Sequence, residues 1–430
     1  MTRHFNSLFR QALGSNVAIL GLNFGNVALT SLFAGLNTRG AVTAIMTYPP
    51  LLASICCFGL HLGFVYLTQR FPERAESLFK CLIVCAIFSL GAGTLVSLTI
   101  APYIASKISA DRTLVTIWTI VLTDSTIVYA LFSGACQTEK LFHVFSVSRL
   151  MSPAVTAVGI LVFGLFSVVE TQAYLAAYAA GSLASSAFTI VVCIKEYKNR
   201  GVLGRKDVRE LGRLASLYWI GDVMNILVWQ VDKIALIALS MPMREVGIYT
   251  IVAAIARGVG QIPISLSQVL LAKAIGKSRN AVVEQTAVNF RYITVLSVLM
   301  AACLTPVMLS SFFITNVEIS RFLKVLCILS IDSCVAGGSL IVSQAFSAVG
   351  EPHKGAVRQL VGGLSAIVFA YLLGLQLGVV GVATGILMSS VLKLTVAWVM
   401  FKGAFETRSE NWMPSRTDWG GALGFLKRGG

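Results

Sequence analysis

The sequence predicts an all-α polytopic membrane protein of about twelve transmembrane helices, built as two six-helix repeats around a central cavity. Three observations carry that expectation. Apolar stretches of spanning length recur along the 430 residues. Lys and Arg gather in alternate loops, and polar residues within the apolar stretches align on single helical faces. A chain that is 56% hydrophobic and 12% charged lies far from soluble domains, where charged residues make up roughly a quarter.

A helix needs about 20 apolar residues to cross hydrocarbon. Spans are expected near 11–35, 41–68, 80–106, 113–135, 145–168, 172–194, 214–240, 246–272, 288–314, 322–347, 357–377 and 379–401. The first stretch, Gln11 to Asn37, is too long for the apolar core of a signal peptide and reads as a permanent first span. A charged segment, Lys195 to Arg213, divides the chain near its middle. The expected organisation is 1–194 as an N-terminal six-helix bundle, 195–213 as a cytoplasmic linker, 214–402 as a C-terminal six-helix bundle and 403–430 as a cytoplasmic tail. Within the linker and its end, Val208 to Leu214 has the pattern of an amphipathic helix on the membrane surface.

Numbering the loops places both termini on the side richest in cations, including Arg70, Arg74, Lys195, Arg205, Arg279, Lys354, Arg358 and Lys402. The other side carries Arg39, Lys107, Arg112, Arg244, Arg321 and Lys324. Positive charge stays on the side of synthesis, so both termini are expected in the cytoplasm. The +15 formal charge sits in short loops, where it meets anionic headgroups rather than nucleic acid. The nine Cys fall within or beside spans and read as small apolar residues, with no metal or disulfide spacing. Three cations remain stranded in apolar stretches: Lys233, Arg257 and Lys393.

The halves read as repeats. Gly40-Ala41-Val42-Thr43 resembles Gly247-Ile248-Tyr249-Thr250, and Ser133-Gly134-Ala135 resembles Ser343-Gln344-Ala345 at nearly the same offset. Repeats with an even number of spans share one orientation, which implies a symmetry axis along the membrane normal. Polar stripes follow the same offset. Tyr218, Asp222, Asn225, Trp229, Asp232 and Lys233 share an arc of roughly 100° on span seven. Asn16, Asn23, Asn26 and Thr30 do so on span one, with Asn16 matching Asp222 and Asn26 matching Asp232. On the second helix of each repeat, Thr43, Thr47, Ser54 and His61 match Thr250, Arg257, Gln261 and Gln268. Pro49-Pro50 and Pro263 are placed to bend these two helices. Four matching stripes predict one hydrated chamber lined by spans one, two, seven and eight.

Plainer readings stand beside these. Thr43 or Ser54 alone suits interhelical packing. Asp232 and Arg257 suit a structural pair as well as a ligand or ion site. Lys393, near the cytoplasmic end of span twelve, reads more readily as a snorkelling lysine. Asp124 and Asp332 suit a proton or cation site, and equally a helix end. His61 suits a satisfied interior histidine. No Walker loop, metal-spaced cluster or nucleophile elbow is present, and no large loop could hold an active site, so neither catalysis nor a cofactor is expected.

Three junctions carry a family likeness. Trp229-Gln230-Val231-Asp232-Lys233-Ile234, followed by Arg244-Glu245-Val246-Gly247-Ile248-Tyr249-Thr250, resembles the span-seven to span-eight junction of bacterial polysaccharide flippases, the Wzx-type O-antigen branch of the multidrug/oligosaccharidyl-lipid/polysaccharide exporter superfamily. Gln344 to Pro352 and Gly378 to Thr384 resemble its turns into the last two spans. The first repeat departs from that pattern, reading Gly40-Ala41-Val42 where Gly-x-Tyr is usual, and span one has no Lys or Arg.

The resemblance implies a non-enzymatic flippase of the bacterial inner membrane that moves polyprenyl-pyrophosphate-linked oligosaccharide between leaflets. It implies membrane lipids, a polysaccharide polymerase and a chain-length regulator as partners. Under it, Arg257 and Lys233 would meet pyrophosphate. Asn23, Asn26, Asn225, Gln261, Gln268 and His61 would face the sugars, with Trp229 and Tyr218 stacking on a ring. Asp222 and Asp232, with Asp124 and Asp332, would serve ion coupling or structural pairing. The main rival is a cation-coupled multidrug antiporter of the same superfamily. A major-facilitator transporter lacks support, because Gln69-Arg70-Phe71-Pro72-Glu73-Arg74 does not match that group's loop signature.

Overall fold

A computed structural model describes residues 2–137, 141–197, 204–274, 279–313, 317–349 and 351–405. Among these no strand occurs, and the helices are α1 (Thr2–Cys56), α2 (Leu60–Arg70), α3 (Ala75–Ile108), α4 (Arg112–Ala135), α5 (Phe142–Leu165), α6 (Thr171–Tyr197), α7 (Arg205–Ala238), α8 (Met243–Ala274), α9 (Arg279–Phe313), α10 (Val317–Ala348) and α11 (Pro352–Ala404). Helix is the expected solution, because hydrocarbon offers no partner for a backbone N–H or C=O. Seven helices among the described residues are long and apolar enough to cross a membrane.

Two of the helices are double. Gly35 (φ 83°, ψ 168°) breaks α1 between the first and second expected spans. Gly378 (φ 60°, ψ −137°) breaks α11 between the last two. The arms of α11 fold back on each other about that residue. Ser365 and Ser389 hydroxyls meet at 3.0 Å, and Ser389 Oγ donates to Gly362 O at 2.8 Å. A Cβ at Gly381 or Gly385 would strike the facing arm. The reversal needs glycine, since a Cβ is excluded from that backbone region. With both breaks counted, a helical segment covers each of the twelve expected spans.

The chain forms two compact units, residues 10–251 and residues 252–430 with 1–9. The first contains α7 and the start of α8 alongside α1 to α6. Its aromatic centre is Phe79, fully buried, stacked on Tyr197 at 4.8 Å and edge-on to Phe64 and Phe132 at 6.4 and 6.0 Å. A second core joins Val42, Tyr48, Leu52, Ile104, Tyr174 and Ile237. In the other unit α10 packs against α9 and α11, with Phe346, Phe401 and Phe405 at the core.

Two local expectations are corrected. Pro49 and Pro50 lie inside α1, which runs on to Cys56, and the interruption falls at Phe58 and Gly59, both with positive φ. Gly59 is pressed against α7 so closely that a Cβ would strike Ala215 O. Val208 to Leu214 is amphipathic but forms the first turns of α7. Leu211 is buried against protein, while Val208, Arg209 and Arg213 are exposed.

Candidate functional site

The α1–α2 break brings two predicted polar residues to one carboxylate. Ser54 precedes it, His61 follows it, and both face Asp222 on α7. Ser54 Oγ donates to Asp222 Oδ2 at 2.6 Å, and His61 Nε2 lies 4.0 Å from Asp222 Oδ1. The His61 and Asp222 side chains are only 14% and 16% exposed. His61 Nδ1 is buried with no partner among the described residues. The backbone beside them is fastened to α7 as well. Trp219 Nε1 donates to Ile55 O at 3.0 Å, one of the carbonyls that the end of α1 leaves without a helical partner. Gly134 on α4 backs His61 closely, at 2.7 Å from a Cβ to the His61 Cβ.

A second polar group lies towards the far end of α7. Asp232 is 3% exposed; its Oδ2 accepts from Tyr249 Oη at 3.3 Å and its Oδ1 from the Lys233 N–H at 2.9 Å. Lys233 Nζ donates to Gln230 Oε1 at 2.6 Å. Thr43 and Thr250 meet at 3.5 Å, so equivalent positions of the two proposed repeats touch. The stripe therefore runs as a line of mostly buried polar contacts between the second arm of α1, α2, α7 and the start of α8.

Other predicted residues are placed as follows. Asn26 is buried and donates Nδ2 to Pro153 O at 2.9 Å, with its Oδ1 unpartnered among the described residues. Asn23 and Trp229 are exposed, and Tyr218 and Asn225 half-buried. Asp124 accepts from Thr94 Oγ1 at 3.0 Å, away from any helix end. Arg257 is half-buried on α8. Gln261 and Gln268 lie in α8, but their side chains fall outside the described residues. Asp332 lies within α10.

Three features escaped the sequence. Lys393 does not snorkel: it is 5% exposed, its stem laid over Gly362, because a facing glycine leaves a channel for the methylenes. Arg358, counted with the loop cations, is 4% exposed and donates to Ser339 Oγ at 2.9 Å. The glycines at 355 and 362, on one face with Arg358, were the available signal. Finally, Arg74 grips Asp207 at the start of α7, with Ser77 on the same carboxylate and Glu210 2.7 Å from the guanidinium. Burial opposes the Asp207 charge, but the Ser77 and Arg74 hydrogen bonds hold its pKa below the ordinary 3.8.

No family model matches this sequence, and no curated protein matches it. Solved structures do. A structure of the lipid II flippase MurJ in an inward closed conformation matches with a TM-score of 0.71 at 14% identity, over 96% of this chain and 91% of that one. The MATE multidrug transporter DinF-BH matches at 0.68 and 16%, over 93% and 94%. An inward-facing MATE family transporter of the MOP superfamily matches at 0.67 and 15%, over 89% and 94%. The fold is that of the MATE and MurJ transporters. At these identities the likeness establishes the MATE–MurJ fold alone. This chain is thus a multi-pass membrane protein of MATE–MurJ architecture, and the proteins sharing that architecture are transporters and a flippase.

Proposed function

We propose that this chain is a flippase for polyprenyl-pyrophosphate-linked oligosaccharide in the bacterial inner membrane, serving a cell-surface polysaccharide such as O-antigen, capsule or exopolysaccharide. The observation that carries the reading is the polar line from His61, Ser54 and Asp222 to Asp232, Tyr249 and Thr43, enclosed in a fold shared with a lipid II flippase. A sugar-pyrophosphate headgroup cannot enter hydrocarbon without losing its hydration. Side chains that replace water along a path between helices supply what the headgroup needs, while its polyprenyl tail stays in lipid.

In this reading both termini face the cytoplasm, and residues 1–194 and 214–402 form the rocking halves, joined by 195–213 and followed by the tail 403–430. Arg257 and Lys233 attract pyrophosphate. Asn23, Asn26, Asn225, Gln261, Gln268 and His61 face sugar hydroxyls, and Trp229 and Tyr218 stack on a ring. Asp222 and Asp232 couple an ion or hold the cations, with Asp124 and Asp332 as further acids. Export of negative charge from a negative interior is favoured by about 2.3 kcal/mol per charge at 100 mV. A polymerase and a chain-length regulator would act on the exported product.

One observation favours a second reading, a cation-coupled multidrug antiporter: the match to the multidrug transporter DinF-BH over nearly the whole chain. The sidedness of lipid-linked oligosaccharide separates the two. In cells lacking the protein, the lipid-linked unit should accumulate in the cytoplasmic leaflet, and Arg257→Ala at normal expression should reproduce that block. Unchanged sidedness without the protein would overturn the flippase reading and direct attention to drug efflux.

A further inference from the structure

The unit formed by residues 252–430 holds two buried cations, Arg358 and Lys393, that the proposed transport path does not use. On α10, Asp332, Ser339 and Ser343 recur within an arc of about 40° at the helical period. Facing them on the first arm of α11 is Arg358, and on the second arm Lys393. Both cations are at least nine-tenths buried, at 4% and 5% exposure. Arg358 Nη1 donates to Ser339 Oγ at 2.9 Å, while its Nε is buried without an acceptor among the described residues. The charged groups acting on Lys393 are Asp332 and Arg358.

The charges in this cluster do not balance. A guanidinium cannot discard its proton in a protein, and its five N–H donors require acceptors. Ser339 is neutral and also donates to Ala336 O at 2.9 Å. Ser389 is committed to Gly362 O and Ser365. Among the described residues Asp332 is the acid acting on Lys393, whereas Arg358 meets a neutral hydroxyl, and an uncompensated buried charge is strongly unfavourable. Lys393 cannot relieve it by reaching solvent, because its stem is held in the groove over Gly362.

We propose that Arg358 and Lys393 bind one small monovalent anion, of the charge and size of chloride, inside this helix group. The guanidinium fork and ammonium supply donors to an acceptor-only ligand, and the ion brings the cluster with Asp332 to neutrality. Burial of both cations among packed helices favours a small ion over a pyrophosphate or a lipid headgroup.

The test uses the full chain purified in detergent, with its thermal unfolding midpoint measured in chloride and in gluconate at equal pH and ionic strength. Chloride should raise the wild-type midpoint saturably by several degrees. Lys393→Met and Arg358→Gln each remove one of the two cationic donors and should each abolish that difference. Asp332→Asn adds a net positive charge to the cluster and should enlarge it. Equal midpoints for the wild type in both salts would overturn the site. So would a wild-type chloride response in Lys393→Met, which would assign the effect to surface cations, or an unchanged or smaller response in Asp332→Asn. If the variants do not fold, binding of radioactive chloride to the wild-type protein decides. Saturation at one ion per chain supports the site, and absence of saturable binding overturns it.

Discussion

Gly40 and Gly247 pack reciprocally. A Cβ at Gly40 would collide with Met243 O, one at Gly247 would collide with Leu36 O, and the latter would lie 3.3 Å from Gly40 N. Leu36 and Met243 stand at the same offset as Gly40 and Gly247, as do Thr43 and Thr250, which are 207 residues apart and touch. A local two-fold relation therefore passes between the second arm of α1 and the start of α8. Only residues without a Cβ allow so close an approach.

That crossing predicts a stability pattern. Gly40→Ala and Gly247→Ala should each lower stability by about 1–3 kcal/mol, the usual cost of overpacking a close contact. Gly21→Ala is the control, since nothing lies within 4 Å of its added Cβ. Thermal unfolding monitored by size-exclusion chromatography distinguishes the two outcomes.

Ser54 and Asp222 should be energetically coupled. Their 2.6 Å contact places a hydroxyl donor on a mostly enclosed carboxylate. A double-mutant cycle with Ser54→Ala and Asp222→Asn should give a coupling of about 1–2 kcal/mol. A value near zero would show that Asp222 draws its support elsewhere.

The clasp at the foot of α7 predicts a pH dependence. Ser77 and Arg74 hold Asp207 below the ordinary 3.8 against the opposing effect of burial. Its contribution is therefore fully present above the unfolded-state value and disappears as pH falls through the lower folded value. Unfolding midpoints measured from about pH 5 down to about pH 2 should fall less steeply in Asp207→Asn than in the wild type, from a lower starting point.

Phe79→Ala should be among the most damaging core changes. The ring is fully buried and touches three other aromatic rings. Removing it should cost about 3–5 kcal/mol and show as a loss of detergent-stable protein, whereas Phe88→Ala, on an exposed position of the same helix, should be nearly silent.

Much of the fold was legible. Helices and their number follow from one constraint, since each crossing must satisfy its own backbone within about 20 apolar residues. The boundary expected between 377 and 379 coincides with Gly378. The polar face of each helix, with Ser54 and His61 on one and Asp222 on another, was also readable, because a helical period converts spacing into a face. Its partners were not, since periodicity gives a direction and never a distance.

By itself, then, the sequence determined the membrane class, the spans, the repeat offset and the polar faces, all consequences of local solvation and helical geometry. Tertiary structure decided the rest. It placed the α1 interruption at Phe58 and Gly59 rather than at Pro49-Pro50, with Gly59 pressed against Ala215. It also buried Arg358 and Lys393, which sequence placed in a loop and at a span's end. A long cation beside apolar residues can reach either water or the protein interior, and only the packing of neighbouring helices determines which.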